Sequence, residues 1–341
     1  MKILVTGGTG YIGSHTVVEL QEKGFEVVIA DNLSNSSIDV LDKINKITGN
    51  RPFFEKIDFS DQDKTRAFFS KFPDIQAVIH FAAYKAVGES VKLPLKYYRN
   101  NLVSLMNLLQ SMQEHNIMDL VFSSSCTVYG QPDFLPVDES APIKKALSPY
   151  GNTKQIAEEI ITDFSEVTNL KTVLLRYFNP IGAHESSLIG ELPIGIPNNL
   201  MPFITQTAIG KRRFLKVWGN DYNTPDGTAI RDYIHVVDLA KAHVMTLERL
   251  LIGASNKKTE VFNLGTGVGY SVLQVIQSFE KMSGIKLDYR IKTRRPGDVE
   301  KVWADTQHAN QVLGWKAERD LDEMTLSAWN WEKNLKSLGT L

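Results

Sequence analysis

Three groups of residues carry chemistry by their types and spacing. Gly8-Thr9-Gly10-Tyr11-Ile12-Gly13 fits G-x-G-x-x-G, and Gly7 adds a second register, G-x-x-G-x-x-G. A lone match is weak, but this one directly follows the apolar run Lys2-Ile3-Leu4-Val5-Thr6 and opens a helical pattern. Glycine there lets the backbone close on a pyrophosphate, whose charge then rests on the helix N-terminal N–H groups and dipole. Asp31 ends the next apolar run, 18 residues past Gly13, where a carboxylate accepts adenosine ribose hydroxyls and repels a 2′-phosphate. The pattern points to NAD rather than NADP. A tight structural turn with an N-capping Asp is the bland alternative, and three coinciding features weigh against it. The second group, Tyr150-Gly151-Asn152-Thr153-Lys154, sets a phenol and an ammonium at i, i+4 on one helix face, after the helix-start signal Ser148-Pro149. The third, Ser123-Ser124-Ser125, closes an upstream strand at the end where doubly wound sheets bind ligands. A tyrosine with a pKa near 10 is a poor base at neutral pH, but an ammonium and a positive nicotinamide beside it both favour the phenolate. A drop of roughly 3 units corresponds to about 4 kcal/mol of differential interaction. Such a phenolate can take a hydroxyl proton while the adjacent carbon gives its hydride to the nicotinamide. An exposed helix tyrosine beside a solvated lysine is the alternative.

The elements that must position these groups alternate along the chain. Strand-like runs at 2–6, 26–31, 53–57, 77–81, 120–123 and 172–176 are separated by helical patterns at 12–23, 64–71, about 94–114 and 150–166. Buried apolar strands alternating with helices predict an α/β fold, a doubly wound (Rossmann) parallel sheet with helices on both faces. Residues 181 to 230 change texture, with ten Gly and Pro residues between Gly182 and Gly227, and predict only short elements. Helical spacing returns at Val272 to Met282 and Leu321 to Leu335. The expected division is an NAD-binding Rossmann domain over 1–180, joined by part of 231–265, and a smaller, loop-rich C-terminal domain over 181–341 that takes the substrate.

Composition narrows the function classes. With 341 residues, 43% hydrophobic and 23% charged, the chain can bury a sizeable core. Its 38 basic and 39 acidic side chains leave a net charge of −1 with no long like-charge run, so nothing marks it for nucleic acid or an anionic membrane. The single cysteine, Cys126, closes no intrachain disulfide and is too few for a cysteine-based zinc site; the seven histidines show no ligand spacing. A reducing, cytoplasmic setting is expected. The apolar run at the N-terminus stops at Thr6-Gly7-Gly8, short of a signal-peptide core, and no stretch approaches the ~18 apolar residues of a membrane span.

Taken together, Thr6 to Gly13, Asp31-Asn32-Leu33, His80-Phe81-Ala82, Ser123 to Gly130 and Ser148 to Lys154 closely resemble the extended short-chain dehydrogenase/reductase family. Arg176 to Ala183, Asn198 to Pro202, Gly227 to Val236 and Arg294-Arg295-Pro296-Gly297-Asp298 resemble its UDP-sugar 4-epimerase branch, over Met1 to about Trp331. The resemblance implies interconversion of UDP-glucose and UDP-galactose with a tightly held NAD: C4 oxidation to a 4-keto sugar, rotation about the pyrophosphate link, and re-reduction on the opposite face. It implies Tyr150 as the base, Ser125 bridging with Thr127 assisting, and Lys154 and Lys85 holding the nicotinamide side. The cofactor site would be completed by Gly7, Gly10, Tyr11, Ile12, Gly13, Asp31, Asn32, Asn35, Ser36, Asp58, Phe81, Asn100 and Tyr177. Substrate would meet Asn179, Asn199, Leu200, Arg231, Tyr233, Arg295 and Asp298, with the Trp218 face stacking on uracil. The chemistry agrees, since Arg231 and Arg295 can grip a pyrophosphate bidentately. A homodimer through the helices at about 94–114 and 150–166 is implied as well.

Two positions depart from the epimerase pattern. Val302 stands where a tyrosine often closes the sugar pocket, which suggests a pocket that admits a 2-N-acetyl group; ordinary apolar variation is the alternative. Cys126 stands where alanine is common and reads as a small buried thiol, with oxidation sensitivity beside Ser125 as the second reading. Two rivals remain. Sugar-nucleotide 4,6-dehydratases carry an Asp-Glu pair where this chain has Cys126 and Thr127. A noncatalytic NAD-binding interaction protein would have lost Ser125, Tyr150 or Lys154, and all three are present.

Overall fold

The computed structural model describes residues 1–295 and 298–339. Strand β1 (Lys2–Thr6) buries four of its five residues because its sheet is covered on both faces, and its side chains alternate between two cores. Ile3 and Val5 pack with Val17 and Val18 of the helix Tyr11–Glu22 and with Leu239 and Leu247 of the helix Val236–Leu251. Leu4 points the other way, to Leu105 and Leu109 of the helix Ser104–Glu114 and Ile161 of the helix Pro149–Val167. This period of two is what a strand between helical layers requires.

The other strands are β2 (Glu26–Asp31), β3 (Phe53–Lys56), β4 (Ile75–His80), β5 (Asp119–Ser123), β6 (Lys171–Tyr177), β7 (Asn179–Ile181), β8 (Leu215–Trp218), β9 (Ile230–His235), β10 (Thr259–Leu264), β11 (Gly269–Ser271), β12 (Tyr289–Lys292) and β13 (Lys301–Val302). The main sheet runs β3-β2-β1-β4-β5-β6-β10, all parallel. Strand order reverses between β1 and β4, so the C-terminal ends of those two strands form the crevice where such sheets bind ligands. Gly7 follows β1 there and Phe81 follows β4. β10, which the sequence pattern alone does not register as a strand, pairs with β6 and follows the helix Val236–Leu251, which packs against the helix Tyr11–Glu22.

The long helix expected at 94–114 is interrupted. It runs as Pro94–Tyr98, widens to a π-helical turn over Arg99–Val103, and resumes at Ser104. In the wide turn Asn101, 7% exposed, accepts the Tyr84 N–H at 2.8 Å and donates to the Tyr84 carbonyl at 3.1 Å and the Thr153 hydroxyl at 3.0 Å. Satisfying that buried amide ties the loop after β4 to the helix that bears Tyr150, and π-turns commonly occur at functional sites.

The remaining elements form small sheets, β11-β9-β13 with β7 on β9, and β8 with β12. The helices Leu200–Ala208, Val272–Ser283 and Leu321–Ser337 cover them around Ile204, Val217, Tyr233, Phe279 and Trp329. Asp232, fully buried in β9, accepts the N–H groups of Thr266, Gly267 and Ala304 at 2.8, 3.1 and 3.1 Å. That one carboxylate fixes Arg231 and Tyr233 on either side of it. Among the described residues no helix is long and apolar enough to cross a membrane.

Candidate active site

The Gly-rich turn assigns each glycine a separate task. Gly7 has φ +70° and donates to the Ala30 carbonyl at 2.8 Å, and a Cβ on it would fall 2.8 Å from the Ala82 nitrogen. Gly13 lies against the turn itself: a Cβ would stand 2.3 Å from the Gly7 carbonyl oxygen and 2.9 Å from the Gly8 Cα. Gly10 is different. It caps the helix Tyr11–Glu22 in extended geometry, supplies no side-chain cap, and would bring a Cβ near only the Gly7 oxygen, at 3.1 Å. The first turn carries no acidic residue, so its N–H groups and dipole are free to face an anion. Asp31 accepts the Leu33 N–H at 2.8 Å, the Thr9 N–H at 3.3 Å and the Ser36 hydroxyl at 3.3 Å, while Ser36 and Thr9 hydroxyls meet at 2.7 Å. A carboxylate offers about four acceptor positions, which leaves capacity for a ribose hydroxyl. Asn32 donates to Asp58 at 3.4 Å, bringing the ends of β2 and β3 together. These residues fit a dinucleotide. The Tyr11 phenol is committed elsewhere, donating to the Gly182 carbonyl at 2.6 Å, so its place in the cradle is a backbone one, as is that of Ile12, whose side chain packs on the core. Phe81 tilts against His243 with centroids 4.7 Å apart, Asn100 donates to Asn101 at 3.0 Å, and Asn35 is exposed.

The end of β5 meets the start of the helix Pro149–Val167. Ser125 caps the short turn Cys126–Tyr129, accepting the Thr127 N–H at 3.2 Å. Lys154, 5% exposed, donates to the Ser123 carbonyl, sits 4.8 Å from the Phe122 ring centroid, and is pushed down to about 8 by burial, with Glu158 one turn along opposing. Tyr177 shares a hydrogen bond with the Ser123 hydroxyl and is pushed up to about 12 by burial. Tyr150 is raised by burial and by Tyr177, with its hydrogen bond to Ser125 opposing. Lys154, on the same helix face, is bonded through its ammonium to the Ser123 carbonyl, and among the residues around it burial is the largest influence on the Tyr150 phenol. Thr127 presents a buried hydroxyl oxygen with no partner among the described residues, an unmet hydrogen bond in the catalytic corner. Cys126, expected to be buried, is half-buried against Val128, Phe178 and Val302, and burial pushes its thiol up to about 12.

Across the cleft, the structure brings together Arg231, Tyr233, Arg295 and Asp298. The Tyr233 hydroxyl, pushed up to about 12 by burial, lies in the fields of the other three. Arg231 donates to the Ile230 carbonyl at 2.8 Å and Arg295 pairs with Asp298 at 2.9 and 3.2 Å. Pro296 and Gly297 of this motif lie outside the described residues. Asn179 sits opposite Tyr233 in the β7–β9 register, Val302 opposite Arg231 in β13–β9, and Trp218 ends β8. Asn199 caps the helix that Leu200 begins. Val302 is 6% exposed among Val128, Phe178 and Ala304, with Cys126 against the same cluster.

Residues outside the motifs also belong here. Tyr222, 5% exposed under the Arg294 guanidinium, lies in the fields of Arg231, Arg295 and Asp298 and has no hydroxyl partner among the described residues. Glu158 holds Arg176 at 2.6 Å in a buried pair that also takes the Ser124 hydroxyl, bracing the serine strand from behind. Glu191 pairs with Lys85 at 3.4 Å. Each is an isolated residue in sequence, with no spacing to mark it.

A doubly wound parallel sheet with a dinucleotide turn, a strand-end serine and a Tyr-x-x-x-Lys helix defines an extended short-chain dehydrogenase/reductase. The family model described as GDP-mannose 4,6 dehydratase matches residues 4–327. The UDP-glucose 4-epimerase of Bacillus subtilis is 51% identical over 335 residues, covering 98% of this chain and 97% of that protein. The crystal structure of UDP-glucose-4-epimerase from Stenotrophomonas maltophila with bound NAD and formylated UDP-arabinopyranose superposes with a TM-score of 0.94 at 46% identity, covering 99% of each chain. That of UDP-glucose 4-epimerase from Bifidobacterium longum in complex with NAD+ and UDP gives 0.93 at 47%, covering 98% of each. The chain belongs to the UDP-glucose 4-epimerase family.

Proposed function

We propose that this protein interconverts UDP-glucose and UDP-galactose as an NAD-dependent isomerase. The observation that carries the reading is the corner where Ser125 accepts the Thr127 N–H and is hydrogen-bonded to Tyr150, beside a buried Thr127 hydroxyl, unpartnered among the described residues, and the Lys154 ammonium held on the Ser123 carbonyl. NAD, when bound, supplies the acceptor for the C4 hydride and its source on the way back. The chain does the rest. Tyr150 takes the proton of the sugar 4-hydroxyl, with Ser125 bridging and Thr127 completing the hydrogen bonds. Lys154, on the same helix face as Tyr150, supplies an ammonium that, together with the nicotinamide when bound, would favour the phenolate. Arg231 and Arg295 hold the pyrophosphate while the 4-keto sugar turns over, and Tyr150 returns the proton on the other face.

Several finer points belong to the same reading. Residues 1–180 with part of 231–265 form the NAD-binding domain and 181–341 mainly the UDP-sugar domain. Val302, smaller than a tyrosine, leaves room for an acetamido group, so UDP-N-acetylglucosamine and UDP-N-acetylgalactosamine also interconvert. Two copies pair through the helices at about 94–114 and 150–166, a reading supported by the exposure of Leu95 and Met106, 68% and 45%. The setting is cytoplasmic. The test is incubation of purified protein with UDP-galactose and, separately, UDP-N-acetylgalactosamine, without added NAD, and resolution of the epimers by chromatography. Conversion of both supports the whole reading, conversion of UDP-galactose alone removes the acetamido pocket, and conversion of neither even with NAD supplied refutes it.

A further inference from the structure

Between the two halves of the cleft lies a carboxylate that no motif marks. Glu191 is held in place from its backbone: its carbonyl accepts the Trp331 indole N–H at 3.1 Å. The residue before it, Gly190, bridges to Ala183, and a Cβ there would stand 2.6 Å from the Trp331 ring. With the loop pinned, the carboxylate has little freedom, and its side chain is 13% exposed. One of its oxygens receives two donors, the Lys85 ammonium at 3.4 Å and the Asn199 side-chain amide at 2.5 Å. Lys85 comes from the loop after β4, on the cofactor side, and stands 5.9 Å from the Tyr11 ring centroid. Asn199 is the N-cap of the helix Leu200–Ala208 on the substrate side, and its side chain makes no capping bond to that helix.

An ionised carboxylate only accepts hydrogen bonds, whereas an asparagine amide has a donating and an accepting end that differ by a half-turn. Glu191 therefore selects the rotamer in which the Asn199 nitrogen faces it. The flipped amide would set two oxygens against each other in a largely buried place. The same oxygen gives Lys85 its countercharge and holds it beside Tyr11. We propose that Glu191 is a positioning residue that sets the Asn199 amide for the nucleotide sugar and ties it to Lys85 on the cofactor side. This rests on the reading of Asn199 as a substrate contact. Glu191 touches neither ligand; it acts through the two residues that do.

The experiment is calorimetric titration of the purified full-length protein with UDP, together with steady-state kinetics on UDP-galactose. Glu191→Ala should raise both the Kd for UDP and the KM about tenfold while kcat changes less than threefold. Glu191→Gln, which still offers an oxygen to Asn199, should recover most of that loss. Asn199→Ala should weaken binding to a similar degree, and adding Glu191→Ala to it should add less than twofold. Unchanged UDP binding in folded Glu191→Ala, or effects that multiply in the double variant, would overturn the proposal and leave the epimerase reading standing. Failure of the wild-type protein to bind UDP would remove that reading and the proposal with it. If Glu191→Ala does not fold, Asn199→Asp decides: it sets two carboxylates together, and adding Glu191→Gln must then recover at least fivefold in Kd, with no recovery refuting the role.

Discussion

Alanine at Gly10 and at Gly13 should have opposite consequences, although the two glycines are three residues apart in one motif. At Gly13 the new Cβ would stand 2.3 Å from the Gly7 carbonyl oxygen and 2.9 Å from the Gly8 Cα, both too close and the first by about 1 Å, with atoms that are all backbone. Nothing flexible can yield, so the helix Tyr11–Glu22 must back away from β1, and overpacking of this kind costs about 1–3 kcal/mol or more. At about 2.1 cal/mol/K of unfolding entropy per residue, each kcal/mol lowers the Tm of a chain this long by roughly 1.4 °C, so 3 kcal/mol gives about 4 °C. At Gly10 the backbone is extended and the Cβ meets one oxygen at 3.1 Å, so alanine costs only about what losing a glycine N-cap costs, under roughly 1 kcal/mol. Its methyl group, however, occupies the approach that a pyrophosphate needs to reach the helix N-terminus. The assay is thermal melting of wild type, Gly10→Ala and Gly13→Ala after stripping any cofactor, because a bound ligand itself raises Tm. It is paired with enzymatic determination of NAD released from the unstripped proteins. Gly10→Ala should melt within about 1.5 °C of wild type and carry little NAD; Gly13→Ala should melt several degrees lower. A Gly10→Ala protein that retains its full complement of NAD, or a Gly13→Ala protein as stable as wild type, would refute the separate tasks assigned to the two glycines.

Further outcomes follow from the same geometry. Tyr150→Phe keeps the ring and removes the group that moves the proton, so kcat should fall by about 10²–10⁴-fold with NAD retained; residual turnover near wild type would contradict the role. Val302→Tyr should abolish acetamido turnover and spare UDP-galactose, and equal loss of both in a folded variant would sink the pocket argument. Glu158→Gln leaves Arg176 buried without its countercharge at a cost of about 3–5 kcal/mol, which melting should report as roughly 4–7 °C. Burial pushes His15, His80 and His235 down to about 3 and His243 down to about 4. Below the ordinary histidine range the unfolded chain binds protons that the folded one refuses, so stability falls as pH drops from about 6.5. Glu19, pushed up to about 7 by burial, opposes with one proton held in the folded state. His184, also lowered by burial, adds to the uptake, and Asp232, raised by burial, opposes it; calorimetry at about pH 5.5 should find net proton uptake on unfolding, and net release would contradict this.

The inner strands of the sheet are legible because they are apolar on both faces and the helices are not, a difference that survives in a single sequence. The edge strand β3, half-buried at most, is marked only by the pair Phe53-Phe54. β10 was missed because Thr259-Glu260-Val261 begins it on polar residues and because its partner β6 is more than eighty residues away. The break in the helix at 99–103 was invisible for a related reason: the π-turn exists to satisfy Asn101 against Tyr84 and Thr153, a tertiary requirement. In the site, motif residues were found wherever backbone geometry dictates side-chain type, as at Gly13 and Lys154. Glu191, Glu158 and Tyr222 were not, since their roles depend on partners brought from distant segments. Spacing fixes which helix face Lys154 shares with Tyr150 and says nothing of where its four-carbon stem ends, which is at the Ser123 carbonyl.

The most direct test of the account is to supply UDP-galactose carrying deuterium at C4 to the purified protein, with no NAD added, and to locate the label in the product by NMR. The account predicts UDP-glucose with the deuterium still on C4, because the hydrogen leaves and returns within one enclosed site while only the hydroxyl proton passes through Tyr150. No conversion, even with NAD supplied, or UDP-glucose with C4 hydrogen drawn from solvent, would contradict it.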